Sequence, residues 1–80
     1  MYSETFIKQY LGKYFWITSP YFAALGIVQI VEYKSYNNPL FIGAYVDRKT
    51  RISIPVYDLN KALEDGSMKK LDNLDRLLYL

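Results

Sequence analysis

The chain has neither cysteine nor histidine among its 80 residues. Without cysteine there is no disulfide framework, no thiolate nucleophile and no sulfur ligand for a metal. Without histidine the usual general base, the commonest metal ligand and the side chain that titrates near neutrality are all missing. A zinc site is therefore not expected, and no cofactor is called for. Net charge is small as well. Ten Lys and Arg stand against eight Asp and Glu, giving +2, too weak a surplus to imply a polyanion partner by itself. It is unevenly spread: residues 1–55 hold six basic and three acidic side chains, residues 56–80 four and five. Glycine is sparse and isolated, at 12, 26, 43 and 66, so neither a GxGxxG turn nor a P-loop can be written. No repeat, low-complexity tract or linker divides the sequence, and one domain over residues 1–80 is expected. Met1-Tyr2-Ser3-Glu4 lacks the basic start of a secretory leader, which with the missing cysteine suggests a cytoplasmic protein.

What is present is apolar and aromatic. Hydrophobic residues make up 51% and aromatics 18%, with nine tyrosines. A domain this small has few enclosed positions, so some rings must stay at the surface. Tyr tolerates that, with an apolar ring and a hydroxyl that remains wet. An excess of surface Tyr points to a contact surface.

Residues 14–31 (YFWITSPYFAALGIVQIV) carry no charge, a length at the lower limit of a membrane span. Thr18-Ser19-Pro20 and Gly26 interrupt the run, and Gln29 sits in its most apolar part. The β-branched stretch Ile27-Val28-Gln29-Ile30-Val31 suits a strand better than a lipid-facing helix. The spacing thus predicts two buried strands joined by a turn, and no membrane contact.

Ser3 is placed to cap a helix over residues 4–11, with Glu4 in its first turn, an apolar stripe of Phe6, Ile7, Tyr10 and Leu11, and Gly12 to close it. Strands are expected at 13–18, 27–34, 40–47 and 51–58. Ser35-Tyr36-Asn37-Asn38-Pro39 reads as a turn, and 21–24 as one helical turn. Asp58 is placed to cap a helix through Leu59, Ala62 and Leu63 that ends at Gly66. Leu74, Leu77 and Leu78 fall at helical spacing in a last segment capped by Asp72 or Asn73.

Alternation puts Leu40, Ile42, Ala44 and Val46 on one face of the third strand, and Ile52, Ile54 and Val56 on one face of the fourth. Matching these faces sets Val46 opposite Ile52, Ala44 opposite Ile54 and Ile42 opposite Val56. That register needs a loop of odd length, although neither Gly nor Asn, which odd loops favour, stands at the tip. Pro55 cannot donate to a ladder, so the fourth strand should be an edge or bulged there.

Short strands with short connections and helical turns suggest a mainly β (α+β) fold. A partly closed antiparallel barrel of four to five strands with short terminal helices disposes best of the exposed edges. The order of pieces over residues 13–63 resembles an SH3-like barrel in architecture, with 67–71 needed as a fifth strand. No sequence motif of that group is matched. The alternative is an antiparallel sheet with helices packed on one face.

Catalytic signals are missing. The serines at 19, 35, 53 and 67 are scattered, with no histidine to activate them. Glu64 and Asp65 are adjacent on a helix and point apart, while Asp72 and Asp75 lie in a polar setting that would not shift a carboxyl. An enzyme is not expected. The matched register turns Phe41, Tyr45 and Tyr57 outward beside the hairpin-tip cations Arg48, Lys49 and Arg51. Tyr and Arg are frequent anchors of protein interfaces, and an edge at Pro55 offers backbone groups to a partner. The leading expectation is a small non-catalytic module that binds a protein partner through these six residues. In composition it resembles the accessory and inhibitor proteins of phages and mobile elements. The alternative is nucleic-acid binding, with rings stacking on bases and cations following phosphate. A third reading is a structural subunit or homo-dimer paired through Leu74, Leu77 and Leu78.

Overall fold

A computed structural model of the chain describes residues 2–18 and 25–71. Its elements are α1 (Glu4–Lys8), β1 (Tyr14–Ile17), β2 (Gly26–Lys34), β3 (Leu40–Tyr45), β4 (Arg51–Pro55), α2 (Val56–Asp65) and β5 (Met68–Leu71). The strands form one antiparallel sheet in the order β4-β3-β2-β1-β5. β4 and β5 are its two edges and do not pair with each other, so the barrel is only partly closed; α2 links the two edges in sequence and packs against both. The fifth strand falls where the barrel architecture requires one. The uncharged run supplies β1 and β2, paired from Tyr14↔Gln29 to Ile17↔Gly26. No helix among the described residues is long and apolar enough to cross a membrane. The segments expected at 21–24 and 72–80, with Leu74, Leu77 and Leu78, lie outside the described residues.

Local chemistry accounts for most element ends. The Ser3 hydroxyl accepts a hydrogen bond from the Phe6 N–H at 3.1 Å, satisfying one of the four free donors of a helix start. α1 stops at Lys8, earlier than the stripe predicted, and Gly12 has a different task. The Lys13 N–H closes a turn onto the Tyr10 carbonyl at 3.0 Å, with Gly12 at φ +79° as its third residue. Gly12 donates to the Ile30 carbonyl, and Ile30 donates to the Lys13 carbonyl. Two residues thus oppose one, a bulge whose first position requires the left-handed conformation glycine adopts most cheaply. α2 begins at Val56, before the expected cap Asp58; Pro55 occupies the N-cap and gives no side-chain hydrogen bond. Tyr57 therefore belongs to a helix, not to β4.

The β3–β4 register differs from the sequence expectation. The pairs are Phe41↔Ile54, Ile42↔Ser53, Gly43↔Ile52 and Ala44↔Arg51, and the Tyr45 N–H bonds the Thr50 carbonyl at 3.0 Å. The connection is four residues, 46–49, an even length that needs no left-handed glycine at its tip. A change in parity turns β3 over. Phe41, Gly43 and Tyr45 face the core, while Leu40, Ile42 and Ala44 take the half-buried outer face. Gly43 permits this packing, because a Cβ there would lie 3.3 Å from Ile54 Cδ1 and 3.4 Å from Val28 Cβ. β2 turns over too. The pairing skips Val31, between Ile30↔Gly43 and Glu32↔Ile42, so the core face changes from Val28 and Ile30 to Tyr33 across the bulge. The core is built from Phe15, Ile17, Val28, Ile30, Phe41, Ile54, Val56, Leu59 and Met68, each at most 1% exposed.

Candidate functional site

The structure separates the six residues expected to form one face. Phe41 is 0% exposed and pairs with Ile54, not Tyr57. Tyr45 is buried, with the Arg48 guanidinium 4.1 Å from its ring centre. Arg48 is further held by Asp47 at 3.0 Å and donates to the Leu25 carbonyl at 3.4 Å. It is therefore committed to contacts within the fold, tying the hairpin tip to the segment before β2. Lys49 and Arg51 are exposed at the tip and the start of β4. Tyr57 is 69% exposed, but on α2, at the opposite end of β4 from those cations. Phe41 and Tyr45 lie inside because of the four-residue connection, which makes them core anchors and removes them from any contact face.

A different aromatic surface forms where three segments meet. β3 and β4 pair at Leu40↔Pro55, and the Val56 N–H donates to the Pro39 carbonyl at 3.1 Å. These contacts bring the 35–39 turn beside the start of α2. The segment before α1 joins them through Tyr2. Two adjoining depressions result, of about 480 Å³ and 360 Å³, sizes typical of ligand clefts. Tyr33, Ser35, Tyr36 and Asn37 line the first; Asn38, Pro55, Tyr57 and Asp58 line the second; Tyr2 and Pro39 belong to both.

The walls differ in how firmly they are held. Tyr2 stacks on Phe6 with ring centres 4.6 Å apart, and Tyr33 packs on Phe41 at 5.1 Å. Each ring has one side on the core cluster, and prolines 39 and 55 are stiff by construction. Tyr36, 62% exposed at the tip of its turn, has no such backing among the described residues. Tyr57 carries the Lys61 ammonium 4.3 Å from its ring centre. Electrostatically the surface is quiet. Beside it Lys34 meets Glu32 at 2.7 Å, and the hydrogen bond and charge of Glu32 hold the Lys34 ammonium above its ordinary range. Among the described residues Asp58 is the single charged residue lining either depression.

A third depression, about 580 Å³, lies between α1, β1, α2 and β5, among Lys8, Tyr10, Lys13, Leu63 and Lys70. Its lysines are exposed, and Lys8 is paired with Glu4 at 3.1 Å. Partial burial pushes the Tyr10 hydroxyl above its usual value, so it remains a neutral phenol at physiological pH. That suits packing better than proton transfer.

Sequence reasoning registered the tyrosine excess but not its location. The available signal was Tyr36: a large aromatic inside Ser35-Tyr36-Asn37-Asn38-Pro39 serves no turn geometry and has no strand face to fill. No family model matches the chain, and neither does any curated protein or solved structure with which it was compared.

Proposed function

We propose that this chain is a small non-catalytic binding module that holds a protein partner against its tyrosine-lined surface. The observation that carries this reading is the cluster of Tyr2, Tyr33, Tyr36 and Tyr57 around two adjoining depressions, with Tyr36 and Tyr57 more than 60% exposed. Tyr is enriched at protein interfaces because it brings a large contact area with few rotatable bonds, and its hydroxyl tolerates water when unbound. The β4 edge adds a few backbone groups. By the alternation of the ladder, Arg51, Ser53 and Pro55 turn their backbone outward, and Pro55 has no N–H there to offer. The edge is a minor contact beside the tyrosines. The absence of histidine and cysteine supports a non-catalytic role, and the absence of cysteine supports a cytoplasmic one. Accessory or inhibitor proteins of phages and mobile elements are the class this size and composition fit.

Nucleic-acid binding has less support. Arg48 is engaged by Tyr45, Asp47 and the Leu25 carbonyl, and among the described residues no Lys or Arg lines the tyrosine depressions, the Lys61 ammonium being drawn onto the Tyr57 ring beside them. The test is affinity capture with the intact chain and with Tyr36→Ala/Tyr57→Ala as paired baits. A partner retained by the first and lost by the second supports the reading. Equal retention by both, or oligonucleotide binding that falls steeply from 50 to 200 mM salt, would refute it.

A further inference from the structure

We propose that the depression between α1, β1, α2 and β5 binds a small organic phosphate, its phosphate held between Lys13 and Lys70 and its organic portion laid against Tyr10 and Leu63. This site shares no lining residue with the tyrosine depressions, so it stands independently of the protein partner proposed above.

The sheet register brings the two lysines together. Lys70 pairs with Phe15, and paired residues of an antiparallel ladder turn their side chains to the same face. Alternation puts Lys13 on that face too, diagonal to Lys70, where neighbouring residues stand roughly 7–8 Å apart. Both lysines are exposed and both line the depression. Neither forms an ion pair among the described residues, and no Asp or Glu among those residues lines the depression. Two ammonium groups so placed repel each other, and an anion between them replaces that repulsion by two attractions. Lys8 adds a third ammonium, its charge shared with Glu4 at 3.1 Å.

The rest of the lining defines the ligand. Every polar group beside the lysines can donate a hydrogen bond: the hydroxyls of Thr5 and Tyr10 and the amide of Gln9. Burial keeps the Tyr10 phenol protonated for that purpose. The cations are lysines, not arginines. A planar carboxylate is matched best by the arginine fork, whereas tetrahedral phosphate directs its oxygens several ways and suits separate ammonium groups. A volume of about 580 Å³ is that of a site for a small organic molecule, not for a bare ion. Leu63 and the Tyr10 ring, half-buried and packed on the core, supply the apolar wall for its organic portion. A nucleic-acid strand fits less well, because the other cations do not continue the site. Arg48 reaches the Leu25 carbonyl before β2, whereas the Lys13 carbonyl accepts from Ile30 within it, and Arg51 lies on β4, at the opposite sheet edge from β5.

The test is a titration of the isotope-labelled chain with inorganic phosphate, adenosine 5′-monophosphate and adenosine, each to about 10 mM, a range that reaches weak complexes. Adenosine monophosphate should shift the amide signals of residues 8–13 and 69–71 and leave those of residues 33–39 and 55–58 in place. It should bind more tightly than inorganic phosphate, which lacks the organic portion, and than adenosine, which lacks the charge. Lys13→Gln/Lys70→Gln, at two exposed positions and with an unchanged urea midpoint, should weaken that binding by roughly tenfold or more. Lys70→Gln alone should show part of the loss. Lys49→Gln/Arg51→Gln removes the same charge at the β3–β4 connection and should change affinity by less than about twofold. No shift at residues 8–13 and 69–71 with either phosphate, equal losses in the two double variants, or equal affinity for adenosine or for inorganic phosphate would each overturn the proposal. Tighter binding per phosphate of a short oligothymidylate would overturn it as well.

Discussion

Phe41 discriminates most sharply between the two ways of pairing β3 with β4. With an odd loop it would face solvent, and Phe41→Ala would change stability by less than about 0.5 kcal/mol, as surface substitutions usually do. In the observed register it is 0% exposed and packs its ring 5.4 Å from Tyr10 and 5.1 Å from Tyr33. Removing a buried Phe ring costs about 3–5 kcal/mol in lost transfer energy and residual cavity. The two aromatic contacts place this site in the upper part of that range, since each such pair adds about 0.5–1.5 kcal/mol. A domain of this length has about 4–12 kcal/mol in total, so Phe41→Ala consumes a third of it or more. Urea unfolding followed by near-ultraviolet circular dichroism measures the loss, and a melting point lower by roughly 15 °C or more should accompany it. Ile42→Ala, on the half-buried outer face, is the control and should cost less. A Phe41→Ala penalty under about 1 kcal/mol, or one smaller than that of Ile42→Ala, would refute the observed register.

Four other substitutions, one of them a control, probe other parts of the structure. Tyr10 has its hydroxyl raised above 10.0 by burial; the neutral form is favoured in the fold, so that contribution is complete below pH 10 and is lost as pH rises beyond it. Tyr10→Phe should therefore lose less stability than the parent chain between neutral and strongly alkaline pH in urea titrations. Gly12→Ala should cost about 1 kcal/mol by forcing an L side chain into the left-handed region, read as a lower urea midpoint with unchanged slope. Arg48→Ala should cost roughly 0.5–1 kcal/mol through its ring contact with Tyr45, while Lys49→Ala stays within about 0.5 kcal/mol; the opposite order in thermal melts would show that Arg48 is not the tethered cation.

The parts of the fold legible in the sequence were those written in local chemistry. Ser3 and Glu4 announce a helix start, Ser35-Tyr36-Asn37-Asn38-Pro39 a turn, Pro55 an edge, and the uncharged run two strands. Register was not legible, because period two decides a face only where one face is polar. In β3 both sets are apolar: Leu40, Ile42 and Ala44 against Phe41 and Tyr45. The choice between them depends on packing from β2 and β4, where Val28 and Ile54 close over Gly43. The bulge at Val31 is equally silent, since Ile30 and Val31 offer the same β-branched surface on either side of it. The misplacement of Tyr57 followed from Pro55, which ends a strand and starts a helix with the same fixed φ. The tyrosine-lined surface depends on all three of these features, which is why the tyrosine excess was visible and its grouping was not.

The register that buries Phe41 also shapes the proposed site. A chain of ring contacts runs from Tyr2 to Phe6 at 4.6 Å, Phe6 to Tyr10 at 5.2 Å, Tyr10 to Phe41 at 5.4 Å and Phe41 to Tyr33 at 5.1 Å. Its two ends are walls of the tyrosine-lined depressions, and its middle is core. Phe41 thus fixes Tyr33 directly and Tyr2 through Phe6 and Tyr10, while lining neither depression itself. Phe41→Leu retains most of the apolar volume and should leave the chain folded, but Leu presents no ring edge or face to its neighbours. Tyr33 then has more freedom to lose when a ligand binds, at a cost of about 0.5–1.5 kcal/mol for one newly mobile side chain. Affinity for the proposed protein partner should fall by roughly twofold to tenfold, the ratio that this range corresponds to. Leu63→Ala provides a comparison, since that half-buried side chain packs on the core and lines the third depression, not the tyrosine ones. A binding loss in Phe41→Leu no larger than in Leu63→Ala would mean that the walls owe their position to the backbone and not to the rings behind them.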